Sequence, residues 1–121
     1  MSVFRAGGVS YLRIPAPDPP ALARFYGQVF GWAIDLDRAD PSFQDGSGHV
    51  IGHFRGDRPV AGAAGFIPYV YVADLDRVAE SATASGATIT TERYREGDLW
   101  VAVISDPAGN QVGIWQKGDG G

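Results

Sequence analysis

From Val9 to Pro15 the side chains alternate, with Leu12 and Ile14 on one face and Tyr11 and Arg13 on the other, which is the period of a half-buried strand. Pro15 and Pro17 end it. Asp18 then stands as an N-cap with Pro19 at the first helical position, and Leu22, Phe25, Tyr26 and Val29 recur at helical spacing until Gly31. This predicts a helix over 18–30 with one aromatic-rich buried face. Residues 32–36 predict a short strand, 41–44 a weaker one and 49–55 a further strand, after which 56–65, rich in Gly, Pro and Ala, reads as a linker.

The second half follows the same plan. Residues 67–72 predict a strand, and Asp74 caps a helix over 74–85 in which Leu75, Val78, Ala79 and Ala82 share a face before Gly86 stops it. Residues 88–91 predict a short strand, 99–105 a strong one and 110–116 the last, with 118–121 expected to fray. Placing Asp18 on Asp74 puts Leu22 on Val78, Ile14 on Val70 and Tyr11 on Ile67. A closer echo lies at the ends of the halves. Laid without a gap, Asp45 to Arg55 fall on Asp106 to Gln116, so that Gly48 meets Gly109, Gly52 meets Gly113 and Phe54 meets Trp115. The predicted architecture is therefore one domain of two βαβββ modules, about 8–56 and 66–117, in the α+β class.

The echoed stretch is a turn feeding a strand. Asp106-Pro-Ala-Gly-Asn suits a tight turn, which makes Asp106 a turn former before a catalytic acid. The residues after it alternate: Val112 and Ile114 point one way as aliphatic core, and Gly113 and Trp115 point the other, as do Gly52 and Phe54 under the gapless overlay. A glycine within a strand marks either a bulge or a place where something approaches closely.

Composition narrows the setting. A chain of 121 residues can bury a core without staples, and none is available, because there is no cysteine and hence neither disulfide nor thiolate metal site. That fits a reducing cytosol. The first residues lack the apolar stretch of a signal peptide, and no run approaches the roughly 20 apolar residues that cross a bilayer, so no membrane association is expected. A formal charge of −4 with acids and bases interspersed offers no basic patch for phosphates, which argues against nucleic acid as a partner.

The paired modules, the first strand ending in Pro15-Ala-Pro-Asp18, the run Phe25-Tyr-Gly-Gln-Val-Phe-Gly-Trp32 and the turn Asp106-Pro-Ala-Gly-Asn110 together resemble the vicinal oxygen chelate superfamily. That group contains glyoxalase I, extradiol dioxygenases and the fosfomycin and bleomycin resistance proteins. The resemblance covers nearly the whole chain. It implies an eight-stranded, incompletely closed barrel whose concave face holds a small-molecule ligand, often within a homodimer. Metal-dependent members take ligands from the opening strands, seven residues before the capping Asp, and from the closing strands, three residues after the Asn of the turn. Here those positions hold Tyr11, Ile67 and Gly113, with Gly52 as the fourth by the gapless echo. Isoleucine and glycine have no side-chain donor, so no metal and no other cofactor is expected. His49 and His53 cannot share an ion, being four residues apart on one strand, roughly 13 Å at about 3.3 Å per residue. His53 is opposite in parity to Gly52 and is expected in the layer between sheet and helix, and His49 in a structural turn position.

By parity, the concave face is expected to present Tyr11, Arg13, Gly52, Phe54, Ile67, Tyr69, Tyr71, Gln111, Gly113 and Trp115, with Trp100 and the polar segment 92–98 as candidates for its rim. Such a face either packs on itself or binds a flat, largely hydrophobic molecule. Arg13 could meet an anionic or carbonyl oxygen, and Tyr11 could give or take a proton. Two functions follow: a binding protein of the bleomycin-resistance type acting without metal, or a glyoxalase-like lyase, isomerase or dioxygenase, either metal-free through Tyr11 and Arg13 or with atypical metal ligands.

Overall fold

The computed structural model describes residues 3–118; of the segment expected to fray, residues 119–121 lie outside the described residues. The elements run β1 (Tyr11–Pro15), α1 (Pro19–Phe30), β2 (Ala33–Asp35), β3 (Ser42–Gln44), β4 (Ile51–Arg55), β5 (Tyr69–Tyr71), α2 (Leu75–Ala84), β6 (Thr88–Glu96), β7 (Leu99–Ser105) and β8 (Gln111–Lys117). The chain divides between Val60 and Ala61 into two compact units. Each unit holds one helix and one open four-stranded sheet, ordered β1-β4-β3-β2 in the first and β5-β8-β7-β6 in the second. In both, the opening strand lies parallel to the closing strand and the other pairings are antiparallel. The predicted tandem βαβββ fold is thus the one adopted. No helix among the described residues is long and apolar enough to cross a membrane.

Local chemistry places the helices where the caps predict. The Asp18 carboxylate accepts from the Ala21 N–H at 3.3 Å and the Asp74 carboxylate from the Arg77 N–H at 3.1 Å, satisfying amide groups that a helix leaves open at its start. α1 closes on Gly31 in the left-handed conformation. Its buried face, Leu22, Ala23, Phe25, Tyr26 and Val29, meets aromatic rings. Tyr26 stacks on Trp32 with centroids 4.8 Å apart, Trp32 stacks on Phe43 at 4.8 Å, and Phe54 tilts against Phe43 at 5.2 Å and Tyr26 at 5.6 Å. The core of the second unit is aliphatic instead, with Leu75, Ala82, Ala102, Ile104, Val112 and Ile114 buried.

These contacts correct the register of the internal repeat. The Ala16 N–H donates to the Arg55 carbonyl and the Val72 N–H to the Trp115 carbonyl, while Arg13 pairs with His53 and Tyr69 with Gly113. On the opening strands these rungs keep the offset set by Asp18 and Asp74. On the closing strands they put His53, not Gly52, opposite Gly113, and Phe54 opposite Ile114. The cause is the turn. The Asp45 N–H reaches the Val50 carbonyl, whereas the Asp106 N–H reaches that of Asn110, so the first turn carries one more residue and the gapless overlay slips by one. A slip of one residue exchanges the faces of a strand.

β6 also differs from its prediction, continuing to Glu96 through two register irregularities. Its charged residues stay extended because it is an edge strand with solvent beside it.

Candidate functional site

The first unit turns a polar face away from α1. Residues paired across neighbouring strands share a face, so Tyr11, Ile51, Gln44 and Ala33 form one row and Arg13, His53, Ser42 and Asp35 the next. Tyr11 and Arg13 are exposed there, as expected. The Tyr11 hydroxyl is hydrogen bonded to Nδ1 of His53, and Nε2 of the same ring lies 3.3 Å from Nη1 of Arg38. His53 is therefore not in the layer between sheet and helix. Phe54 and Gly52 are: Phe54 is 0% exposed, and a Cβ at Gly52 would stand 2.7 Å from the ring of Phe43. Both leave the expected ligand face, because the slipped overlay assigned them the wrong side. His49 is exposed on the turn with its ring against Arg5 at 3.2 Å.

The second unit turns an aromatic face away from α2. Tyr71, Trp115, Val101 and Tyr94 follow one another across the sheet, and Tyr69, Gly113, Val103 and Thr91 form the neighbouring row. Tyr69, Tyr71 and Tyr94 are 46%, 57% and 40% exposed. Trp115 meets Tyr71 edge to face with centroids 5.6 Å apart, a favoured geometry for aromatic pairs. The space left by Gly113 is taken by Tyr69, whose ring a Cβ there would strike. At both echoed glycines, then, an aromatic ring directly across the ladder covers the bare backbone. Gln111 is held by the Thr90 hydroxyl, which donates to its Oε1 at 3.1 Å, and Ile67 is exposed just ahead of β5.

Sequence reasoning missed three of these residues. His53 was hidden by the slipped turn, where the better signal was the match of Phe54 with the core residue Ile114, and Arg38 by its place in the loop before β3, 15 residues from His53. Tyr94 was hidden by the β6 irregularities, which break alternation. Partial desolvation, then the charge of Glu96 and the neighbouring Tyr69, push its hydroxyl above the ordinary tyrosine pKa. Trp100 is not on this face. It lies on the α2 side, paired with Gln116, under the guanidinium groups of Arg93 at 4.4 Å and Arg95 at 5.0 Å, and Arg93 reaches Asp76 of α2 at 3.0 Å. Asp106 is a turn former, its carboxylate accepting from the Ala108 and Asn110 N–H groups at 2.9 Å each.

The glyoxalase-like domain family matches residues 11–114. The chain belongs to that family. CFP32 of Mycobacterium bovis and Mycobacterium tuberculosis, a protein named as a glyoxylase, is 28% identical over 95% of the chain. The chain spans 48% of that relative's length. Among solved structures, a glyoxalase/bleomycin resistance protein/dioxygenase family enzyme from Burkholderia phytofirmans has TM-score 0.73 at 23% identity, covering 89% of this chain and 97% of that one. The fosfomycin resistance protein FosX from Mesorhizobium loti has TM-score 0.75 at 15% identity, covering 93% of each. These likenesses establish a shared fold.

Within this glyoxalase-like domain the corrected repeat changes the family's four metal positions to Tyr11 and His53 in the first unit and Ile67 and Gly113 in the second. The donor set does not fit a metal ion. Ile67 and Gly113 offer no side-chain donor, both nitrogens of His53 are engaged by Tyr11 and Arg38, and a guanidinium beside the imidazole repels a second cation. Among the described residues no group of three or more His, Cys, Asp or Glu side chains is arranged to hold one.

Proposed function

We propose that this glyoxalase-like domain binds a flat, largely hydrophobic small molecule without a resident metal ion, and that the aromatic face of the second unit is the surface that receives it. One observation carries the reading. Tyr69, Tyr71, Trp115 and Tyr94 stand together with Val101 and Val103 on the face turned from α2, while Ala102, Ile104, Val112 and Ile114 of the same sheet fill the core on the other side. Gln111 is the candidate polar group on that face; Arg13 and Tyr11, on the open face of the first unit, are candidates of their own for meeting ligand oxygen atoms. Native mass spectrometry of co-purifying molecules, followed by binding measurements, tests the reading. Stacking on Trp115 contributes on the order of 0.5–1.5 kcal/mol beyond area. Trp115→Phe should therefore weaken binding modestly and Trp115→Ala severely, whereas Val112→Ala on the core side should lower stability and leave affinity nearly unchanged. Loss of binding in a folded Val112→Ala protein, with Trp115→Ala silent, would overturn it.

A second reading, a metal-free glyoxalase-like lyase or isomerase, is favoured by the contact of the Tyr11 hydroxyl with His53, a pairing able to give or take a proton. Product formation in a small-molecule screen, lost in Tyr11→Phe, would support it over simple capture. The same proposal includes a homodimer in the cytosol, in which the two modules act as one domain.

A further inference from the structure

Arg38 carries only hydrogen-bond donors. Its Nη1 lies 3.3 Å from Nε2 of His53, so Nε2 is the nitrogen that accepts, and the proton of a neutral imidazole then belongs on Nδ1. That nitrogen is bonded to Tyr11, which fixes the direction of the contact: Nδ1–H donates and the phenolic oxygen accepts. With the opposite tautomer, the Nε2–H would face the N–H groups of Arg38, two donors meeting with no acceptor between them. A phenol that accepts from one neighbour keeps its own O–H for another, and Tyr11 is 43% exposed. The surroundings select what that O–H can meet. Arg13 is the register partner of His53 on this face and Arg38 reaches the ring, so two cationic residues share the face with Tyr11, which favours an electron-rich oxygen.

We propose that Arg38 and His53 are positioning residues that hold Tyr11 as a hydrogen-bond donor to an acceptor oxygen, a conjugated carbonyl or a phenolate, on a molecule bound at this open face of the first unit. The tautomer is a property of the free protein and is independent of the ligand reading above; the choice of a flat aromatic probe rests on that reading.

Two measurements test the proposal. Ring ¹⁵N chemical shifts in labelled protein, with His49→Gln to assign the two histidines, should show His53 protonated on Nδ1. Arg38→Met should move the proton toward Nε2, and Arg38→Lys, which still donates, should restore it. An Nε2–H tautomer in the unaltered protein overturns the proposal. Binding is then compared for 2-acetylnaphthalene, which carries an acceptor oxygen, and 2-ethylnaphthalene, which does not. The ketone should bind about twofold to tenfold more tightly, the range of one net hydrogen bond, and Tyr11→Phe should abolish that preference with the fold intact by circular dichroism. Equal affinity in the unaltered protein, or a preference that survives Tyr11→Phe, overturns the oxygen subsite and leaves the flat-ligand reading standing. Binding of neither probe overturns both.

Discussion

Phe54 is closed off from solvent between Tyr26 and Phe43, so its removal leaves a cavity that rigid aromatic neighbours cannot collapse to fill. Phe54→Ala should cost about 3–5 kcal/mol, read as a lower midpoint in urea unfolding. A loss well under 1 kcal/mol would mean that the ring is not in the core. Trp115 answers to different physics. It is partly exposed and its edge contact is with Tyr71, so its substitution should be read chiefly in binding. Tyr11 and His53 depend on each other for direction as well as position, and their roles are separated by the tautomer and not by stability.

At the scale of elements, the final strand does more than complete a sheet. Gln116 is 6% exposed, and its Oε1 accepts from the Leu75 N–H at 2.6 Å, so β8 satisfies an amide at the start of α2 that the helix itself cannot. Gln116→Leu keeps the volume and removes the acceptor, stranding a buried N–H. The expected loss is about 1–3 kcal/mol, and an unchanged midpoint of chemical unfolding would count against this coupling. The two closing strands show how small an element-level change redirects chemistry. One extra residue in the turn at Asp45 puts His53 on the open face and Phe54 beneath α1, while in the second unit Trp115 is open and Ile114 buried.

At the scale of the whole molecule, the proposed dimer is motivated by exposed apolar side chains, among them Phe66 at 102% and Val9 at 73%, of the kind that a partner covers. Light scattering at micromolar concentration should give twice the chain mass, and a monomer would count against it. Metal content is the other test at this scale. Protein dialysed without chelator should hold far less than one equivalent of zinc, iron or manganese. A stoichiometric ion lost in His53→Ala or Tyr11→Phe would return the metal-dependent reading.

Periodicity, capping residues and turn chemistry by themselves determined both helices, the strand order along the chain and the tandem plan, because each is set by contacts between near neighbours: Asp18 with Ala21, Asp74 with Arg77, Asp106 with Asn110. The open face of the second unit was legible for the same reason, since the turn at Asp106 has the compact form its residues imply. Tertiary structure decided which side of β4 meets the helix. Asp45 accepts from the Gly48 N–H and also donates its own N–H to Val50, one residue further on than the Asn110 that Asp106 reaches, in a fold where Phe54 is buried with Tyr26 and Phe43. Tertiary structure likewise brought Arg38, from a loop, to His53, a meeting between residues 15 apart that no local pattern encodes. Face assignment in a strand has a period of two, so a one-residue change in a turn inverts it, and only packing against the other elements shows which alternative has the lower free energy.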